Sequence, residues 1–140
     1  MEITKIRDNI TVINDSYNAS YDSVKAVLEY LAKTNLARKI AVLGDMLELG
    51  EYTKQLHEKV GEEVVKNNID ILITVGNYSK YISKKARDLG MKEIYDCENN
   101  EEATEILNKI IKPQDTIVLK ASNSMKLGKI LESLKNGGKV

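Results

Sequence analysis

The sequence is poor in several residue types, and each shortage excludes a class of protein. A single cysteine, Cys97, excludes an internal disulfide and fits a reducing compartment. Because there is no Trp and no Phe, the core must consist mostly of Ile, Leu, Val and Met with some Tyr. No apolar run approaches the roughly 20 residues that span a bilayer, and the first residues do not resemble a signal peptide. We therefore expect a soluble, cytoplasmic protein without membrane insertion.

The chain also lacks an excess of charge of either sign. Its 21 basic and 21 acidic side chains give a formal net charge of zero, and no basic face is interleaved with aromatic residues. These features argue against nucleic-acid binding by charge. One histidine cannot build a His-based metal site, so we expect no metal ligands. Neither GxGxxG nor GxxxxGK followed by Ser or Thr occurs, so we expect no phosphate loop.

Short apolar segments alternate with helical patterns along the chain, whose 140 residues suffice for one domain. The predicted strands cover residues 2–6, 10–14, 39–43, 69–75, 93–95 and 116–119. The first predicted helix starts near Asp22 and has Asp22 or Ser23 as its cap. The other predicted helices cover residues 53–67, 78–89 and about 100–111, and a last segment that includes Met125. The three-residue link at 7–9 permits only antiparallel pairing, whereas helical connections imply parallel pairing. The sequence therefore predicts one three-layer α/β/α domain over residues 1–140, with a first antiparallel strand and five parallel strands.

Polar residues follow every parallel strand of this predicted sheet. They occupy residues 15–18, 44–45, 76–77, 96–97 and 120–124. The carboxyl ends of parallel strands meet at one edge of a sheet, and neighbouring strands lie about 4.8 Å apart. We therefore expect these side chains to surround one small polar ligand, although their position does not identify a reaction.

Each of these residues also has an explanation that involves no ligand. Asp15 can cap a turn, Lys120 can be a solvated lysine at a strand end, and Ser122 or Ser124 can cap the last helix. We interpret His57 as a surface or half-buried residue rather than a base, and Cys97 as a structural residue. Three tyrosines in loops near the same edge are either packing lids or ligand contacts: Tyr17, Tyr21 and Tyr52.

Four motifs together resemble the C-terminal domain of Mur ligases. They are NDSYNA at residues 14–19, AVLGDMLELG at 41–50, LHEKVG at 56–61 and VLKASNSM at 118–125. The GDMLELG stretch is the most specific of them, and the resemblance covers essentially the whole chain but only the last third of such an enzyme. It implies a Rossmann-like sheet with an antiparallel first strand and the strand order 1-2-6-3-4-5. It also implies that the N-terminal and central ATP-binding domains lie outside this chain.

Within that family, the resemblance is greatest to ligases that add D-alanyl-D-alanine to UDP-N-acetylmuramoyl-tripeptide in peptidoglycan precursor synthesis. In that reaction ATP phosphorylates the tripeptide carboxylate, and the dipeptide amine then displaces phosphate. The resemblance implies that the central domain holds most of the ATP and the Mg. The C-terminal domain closes over it, contacts the dipeptide and part of the nucleotide, and works only with its own N-terminal and central domains. We therefore expect this domain to be inactive alone and to supply no catalytic residue.

Six residues carry over from the family motifs. Asp15 and Asn18 are expected on the nucleotide side of the site. The other four are expected on the substrate side: Lys120, Ser122, Asp45 and Glu48. Asp15 matches the family aspartate that contacts ATP. The lysine and serine match residues expected near the incoming dipeptide, whose carboxylate suits a cation and a hydroxyl.

Two segments depart from the family pattern. Ser20-Tyr21 stands where the family has Asn-Pro, which predicts a less rigid loop, and residues 120–123 read KASN where the family has KGSR. These departures leave open a related amide ligase with a different acceptor. A non-enzymatic, receiver-like signalling module is another alternative, because it also sets carboxylates and a lysine at strand ends. It requires an acidic pair after the first parallel strand and an Asp after the third, where this chain has Asn14-Asp15 and Gly76-Asn77.

Overall fold

The computed structural model describes residues 1–34 and 37–137, which form six strands and five helices. The strands are β1 (Glu2–Lys5), β2 (Thr11–Asn14), β3 (Arg38–Gly44), β4 (Ile71–Val75), β5 (Ile94–Cys97) and β6 (Asp115–Lys120). The helices are α1 (Tyr21–Lys33), α2 (Thr53–Lys66), α3 (Lys80–Asp88), α4 (Asn100–Ile110) and α5 (Gly128–Lys135). Among these residues, no helix is both long and apolar enough to cross a lipid bilayer.

The six strands form one sheet in the order β1-β2-β6-β3-β4-β5. β1 pairs antiparallel with β2, and every other pairing is parallel. The predicted fold class and strand order are therefore confirmed. The last helix begins later than predicted, because Met125 belongs to a separate 3₁₀ turn (Asn123–Met125). Lys126 follows that turn in the left-handed region (φ 56°), which interrupts the helical backbone before α5.

Two apolar cores lie on opposite faces of the sheet, and helices cover both. On one face, strand residues such as Ile40 and Val42 pack with residues of α4 and α5. On the other face, Ala41 and Leu43 pack with residues of α1, α2 and α3. Successive strand residues point to opposite faces, so a strand in the middle of three layers must be apolar throughout. This requirement explains the continuous apolar run that predicted β3.

Ser20 caps helix α1, so the prediction that Asp22 or Ser23 is the cap is wrong. The Ser20 hydroxyl accepts the Ser23 N–H at 3.2 Å, and the Ser23 hydroxyl accepts the Ser20 N–H at 2.9 Å. This capping box satisfies two backbone donors at the start of the helix. Tyr21 then takes the first helical position, where Pro is favoured, and Ser takes the cap position, where Asn and Ser are equally favoured. Ser20-Tyr21 therefore fills the same two positions that an Asn-Pro pair would fill.

Helices α2 and α3 approach each other closely at Gly61. A Cβ added at Gly61 would lie 2.6 Å from the Ile82 carbonyl oxygen and 2.8 Å from the Lys85 Cβ. The first of these contacts is with backbone, which cannot rotate away as a side chain can. The absence of a side chain at this position therefore sets the spacing of the two helices.

We expect Gly61→Ala to lower the free energy of unfolding by up to about 2 kcal/mol. Overpacking costs about 1–3 kcal/mol, and the better helix propensity of Ala returns about 1 kcal/mol. Urea unfolding followed by circular dichroism measures the change. Glu62→Ala, at the next and exposed position of α2, is the control and should change stability by less than about 0.5 kcal/mol. If Gly61→Ala stabilised the protein, this result would contradict the close approach of α2 and α3 at residue 61.

Candidate functional site

The carboxyl ends of β2, β6 and β3 lie side by side, and the loops that leave them carry most of the predicted site residues. In the parallel register, Asn14 pairs with Leu119, and Leu43 pairs with Lys120. Asp15 therefore begins its loop beside the end of β6, and its backbone N–H donates to the Leu119 carbonyl at 3.0 Å. We call this side of the molecule the C-terminal edge of the sheet.

Asp15 and Lys120 form an ion pair at this edge. The Lys120 Nζ lies 3.0 Å from Asp15 Oδ2, and the two side chains are 3% and 24% exposed. The same ammonium donates to the Asn18 backbone carbonyl at 2.8 Å. Both contacts belong to the loop between β2 and α1. Lys120 is thus almost fully enclosed, whereas the Asp15 carboxylate remains partly open to solvent.

The rest of this loop is held by local hydrogen bonds. The Ser16 hydroxyl donates to the Asn14 side-chain carbonyl, and the Asn18 side-chain carbonyl accepts the Ala19 N–H at 2.9 Å. Asn18 is itself exposed, and its side-chain NH₂ points to no acceptor among the described residues. The loop therefore offers an exposed amide beside a half-buried carboxylate.

Asp45 is placed at the edge, but its carboxylate is occupied by backbone donors. It is 5% exposed and accepts the N–H groups of Asn77 at 3.1 Å and of Ser79 at 2.8 Å. Gly76 allows this approach, because a Cβ there would lie 2.8 Å from both carboxylate oxygens. Asp45 thus joins the end of β3 to the turn that leads into α3. This arrangement makes it a support of the edge and leaves a ligand little access to it.

Ser122 joins the two loops that follow β3 and β6. Its hydroxyl accepts the Leu47 N–H at 2.9 Å, and its own N–H donates to the Asp45 carbonyl at 3.0 Å. The hydroxyl hydrogen remains available as a donor to a ligand. Glu48, one residue after Leu47, is exposed with φ 64°, and its carboxylate has no hydrogen-bond or ion-pair partner among the described residues.

The departures at residues 121 and 123 have separate structural consequences. Ala121 is buried in the core, and its methyl lies only 2.7 Å from where a Cβ on Gly44 would be. Ala121 is therefore accommodated because residue 44 is Gly, and its methyl does not enter the edge. Asn123 is exposed and lines an open cavity with Ser16, Lys126, Gly128 and Lys129.

The two lysines of this cavity were not among the residues predicted from the sequence. Lys126 and Lys129 are both exposed, and neither forms an ion pair with the described residues. The signal that could have identified them is their position within one helical turn of the strand-end motif. They supply positive charge next to Asn123, where the family motif has an arginine.

The interpretation of His57 as a surface or half-buried residue is wrong, because its ring is 0% exposed. Its Nε2 accepts the Met46 N–H at 3.0 Å, and its Nδ1 lies 2.6 Å from the Thr53 carbonyl oxygen. Met46 directly follows Asp45 in the loop after β3. His57 therefore fixes this loop to helix α2 and has no free nitrogen for a ligand.

The remaining candidates lie in different environments. Cys97 is buried, and burial raises the pKa of its thiol to about 11, as expected of a structural residue. Tyr17 is 83% exposed beside Ser16, and Tyr52 is also exposed. Tyr21 instead starts α1, and its phenol lies 3.4 Å from Glu63 of α2, so it does not lie in a loop as predicted. In residues 1–34 and 37–137, no group of three or more His, Cys, Asp or Glu side chains could hold a metal ion.

Comparison with known proteins places this geometry in a family. The family model described as Mur ligase, glutamate ligase domain, matches residues 1–123. A UDP-N-acetylmuramoyl-tripeptide–D-alanyl-D-alanine ligase of Rickettsia prowazekii is 34% identical over 124 residues, which are 89% of this chain and 27% of that protein. A ligase of the same name from Bacillus subtilis is 29% identical over 136 residues, which are 96% of this chain and 30% of that protein.

Solved structures agree with the sequence matches. The crystal structure of MurF ligase from Thermotoga maritima in complex with ADP has 25% sequence identity and a TM-score of 0.81, over 98% of this chain and 30% of that one. The chain therefore spans less than a third of the length of each of these relatives.

Proposed function

The chain belongs to the Mur ligase family, in its glutamate ligase domain, and from this premise we propose that it is the C-terminal domain of an ATP-dependent amide ligase. The proposed reaction adds D-alanyl-D-alanine to UDP-N-acetylmuramoyl-tripeptide in peptidoglycan precursor synthesis. The relatives that match most of this chain bear the name of that ligase, which supports the choice of substrates. We expect the reaction in the cytoplasm, where ATP and UDP-linked precursors occur.

The proposed chemistry has two steps. The terminal carboxylate of the tripeptide attacks the γ-phosphorus of ATP, which forms an acyl phosphate and releases ADP. The dipeptide amine then attacks the acyl carbon, the amide bond forms, and phosphate leaves with the carbon–oxygen bond electrons while the amine loses its proton. We assign the phosphate loop and the Mg to the parts of the enzyme outside this chain. The role of this domain is to contact the nucleotide and the dipeptide.

Asp15 and Asn18 form the nucleotide side of the proposed site. A half-buried carboxylate accepts hydrogen bonds from hydroxyl or amino groups, and an exposed side-chain amide can donate or accept them. The ribose and adenine of ATP present both kinds of group, so the two residues fit a nucleotide chemically. The observation that carries the proposal is the place of Asp15, at the end of β2 and beside Lys120 at the end of β6.

Ser122, Glu48 and the cavity lined by Asn123, Lys126 and Lys129 form the acceptor side. The free donor of Ser122 suits the carboxylate of a dipeptide, and so do the two lysines, which form no ion pair within residues 1–34 and 37–137. The exposed carboxylate of Glu48 suits the dipeptide amine. We assign Asp45 a supporting role here, because it holds the turn before α3 and the loop to which Ser122 is bonded.

Titration of the ¹⁵N-labelled chain with ADP and with D-alanyl-D-alanine tests this proposal. We expect ADP to shift the amide signals of residues 14–18, and the dipeptide to shift those of Ser122 and Asn123. The isolated chain should release no phosphate from ATP with both substrates present. Binding of another amino acid at Ser122, in preference to the dipeptide, would indicate a ligase with a different acceptor. Phosphate release by the isolated chain would contradict its assignment as a partial enzyme.

A further inference from the structure

Lys120 lies at the centre of the proposed site but is almost closed to ligands. Its side chain is 3% exposed, while Asp15 beside it is 24% exposed. An ammonium has three donor hydrogens, and two of them have identified acceptors, Asp15 Oδ2 at 3.0 Å and the Asn18 carbonyl at 2.8 Å. A lysine that binds a substrate carboxylate would need its charged end open to the edge. Its enclosure indicates a different role.

We propose that Lys120 is a positioning residue that acts through Asp15 and residues 16–19, and that it does not contact the dipeptide. The inference rests on the proposed function in assigning the nucleotide side to Asp15. Lys120 holds Asp15 Oδ2 at 3.0 Å, whereas the other oxygen, Oδ1, lies 3.9 Å from the Met1 amino group in a carboxylate that is 24% exposed. By holding the Asn18 carbonyl as well, it closes the loop from the end of β2 to the cap of α1.

The loop depends on this lysine because, beyond the Asp15 N–H that donates to the Leu119 carbonyl, its other hydrogen bonds among the described residues are local. Asn14 with Ser16, and Asn18 with Ala19, join residues only one or two positions apart. Lys120 is the contact from a distant part of the chain that holds a carbonyl of the loop. Without the ammonium, the Asn18 carbonyl loses its donor, and the Asp15 carboxylate loses its nearer counter-charge and keeps only the Met1 amino group at 3.9 Å. The loop can then adopt conformations in which Asp15 no longer faces the nucleotide.

Ser122 is held independently of this loop, which makes the inference testable. Its hydrogen bonds run to Leu47 and Asp45, in the loop after β3. A change at Lys120 that acts only through the β2–α1 loop should therefore weaken nucleotide binding much more than dipeptide binding, because Ser16 is the one lining residue of the acceptor cavity that belongs to that loop. A direct role in dipeptide binding would give the reverse pattern.

The experiment compares wild type with Lys120→Met, Asp15→Asn and the double variant. Methionine keeps much of the length of the lysine chain and removes its charge. Amide hydrogen exchange of residues 16–19 reports on the loop, and exchange of β4 (Ile71–Val75) reports on the intact fold. Isothermal titration with ADP and with D-alanyl-D-alanine reports on the two sides of the site.

We expect Lys120→Met to raise the exchange rates of residues 16–19 by about tenfold, with β4 unchanged. ADP affinity should fall by about tenfold, and dipeptide affinity should change by less than about twofold. In the Asp15→Asn background, Lys120→Met should lower ADP affinity by less than about threefold, because the part of its effect that Asp15 transmits is then absent and only the part transmitted by residues 16–19 remains. Lys120→Arg keeps the charge and should restore part of the ADP affinity.

Three results would overturn the proposal. They are unchanged loop exchange in a folded Lys120→Met protein, loss of dipeptide binding with ADP binding retained, and an equal loss of ADP affinity in the Asp15→Asn background. If Lys120→Met does not fold, Asp15→Asn must by itself raise loop exchange, and unchanged exchange there overturns the proposal equally. A faster loop in a chain whose wild type binds no ADP would support the positioning of the loop and contradict the assignment of Asp15 to the nucleotide side.

Discussion

Replacing Asp115 with alanine is expected to lower the free energy of unfolding by about 3 kcal/mol or more. Asp115 begins β6 at the edge opposite the candidate site, and its side chain is 2% exposed. Its carboxylate accepts two hydrogen bonds from the Arg38 guanidinium, at 3.0 and 2.8 Å, and one from the Lys112 N–H at 2.8 Å. Alanine leaves a partly buried cation without its counter-charge and a backbone donor without its acceptor. Breaking a buried pair in this way costs about 3–5 kcal/mol.

Urea unfolding measures this loss, and two variants serve as controls. Asp88→Ala removes the same charge from an exposed pair with Lys84 on α3, and such pairs contribute about 0–1 kcal/mol. Asp115→Asn keeps the size of the side chain and an acceptor for the Lys112 N–H, so its loss should lie between the other two. A loss for Asp115→Ala no larger than that for Asp88→Ala would show that the pair with Arg38 does not hold the sheet together.

The sheet could be predicted from the sequence because its signals are local. The apolar run of β3 and the three-residue link before β2 are visible within a few positions of the chain. The strand order came from the family resemblance, because the pairing of Ile40 with Ile117 joins distant segments. The pair between Arg38 and Asp115 was missed for the same reason. Opposite charges at two strand starts become neighbours only after the strand order is known.

The site could be predicted by position but not by the contacts of each side chain. The sequence places Asp45 and Lys120 after strands, and the structure confirms that both lie at one edge. It does not indicate that Asp45 is occupied by the N–H groups of Asn77 and Ser79, or that Lys120 is enclosed by a loop 102 residues earlier. Hydrogen bonds between loops depend on backbone geometry, which residue patterns do not specify. The hydrogen-bond partners seen in the structure therefore distinguish side chains that can bind a ligand from side chains that only support them.

The contacts of His57 could not be predicted from the sequence either, and its position in the sequence suggested a side chain at the surface. Its two contacts define its protonation state, because the Met46 N–H can only donate and the Thr53 carbonyl can only accept. The ring must therefore be neutral, with its hydrogen on Nδ1. Burial lowers the pKa of His57 below its usual 6.5, and the Thr53 carbonyl and Asp45 oppose that effect only in part. A proton on Nε2 would also direct an N–H group at the Met46 N–H.

We expect His57→Ala to lower the free energy of unfolding by about 2–4 kcal/mol near pH 8, because it creates a cavity and leaves the Met46 N–H without an acceptor. His57→Gln retains a side-chain acceptor and should lose less. The contribution of His57 is complete above a pH of about 6.5, where the unfolded side chain is neutral as well.

Below a pH of about 6.5, the unfolded chain binds a proton that the folded chain does not, so the contribution of His57 declines until the folded pKa is reached. Alanine does not titrate, and the carboxylates common to both proteins cancel in the comparison. The difference in unfolding free energy between wild type and His57→Ala should therefore narrow as the pH falls from about 8 to about 5. Urea unfolding of the two proteins across this range measures the difference. A difference that stays constant with pH would show that His57 accepts a proton in the folded protein as readily as in the unfolded chain. That result would contradict the burial of the ring and its two hydrogen-bond contacts.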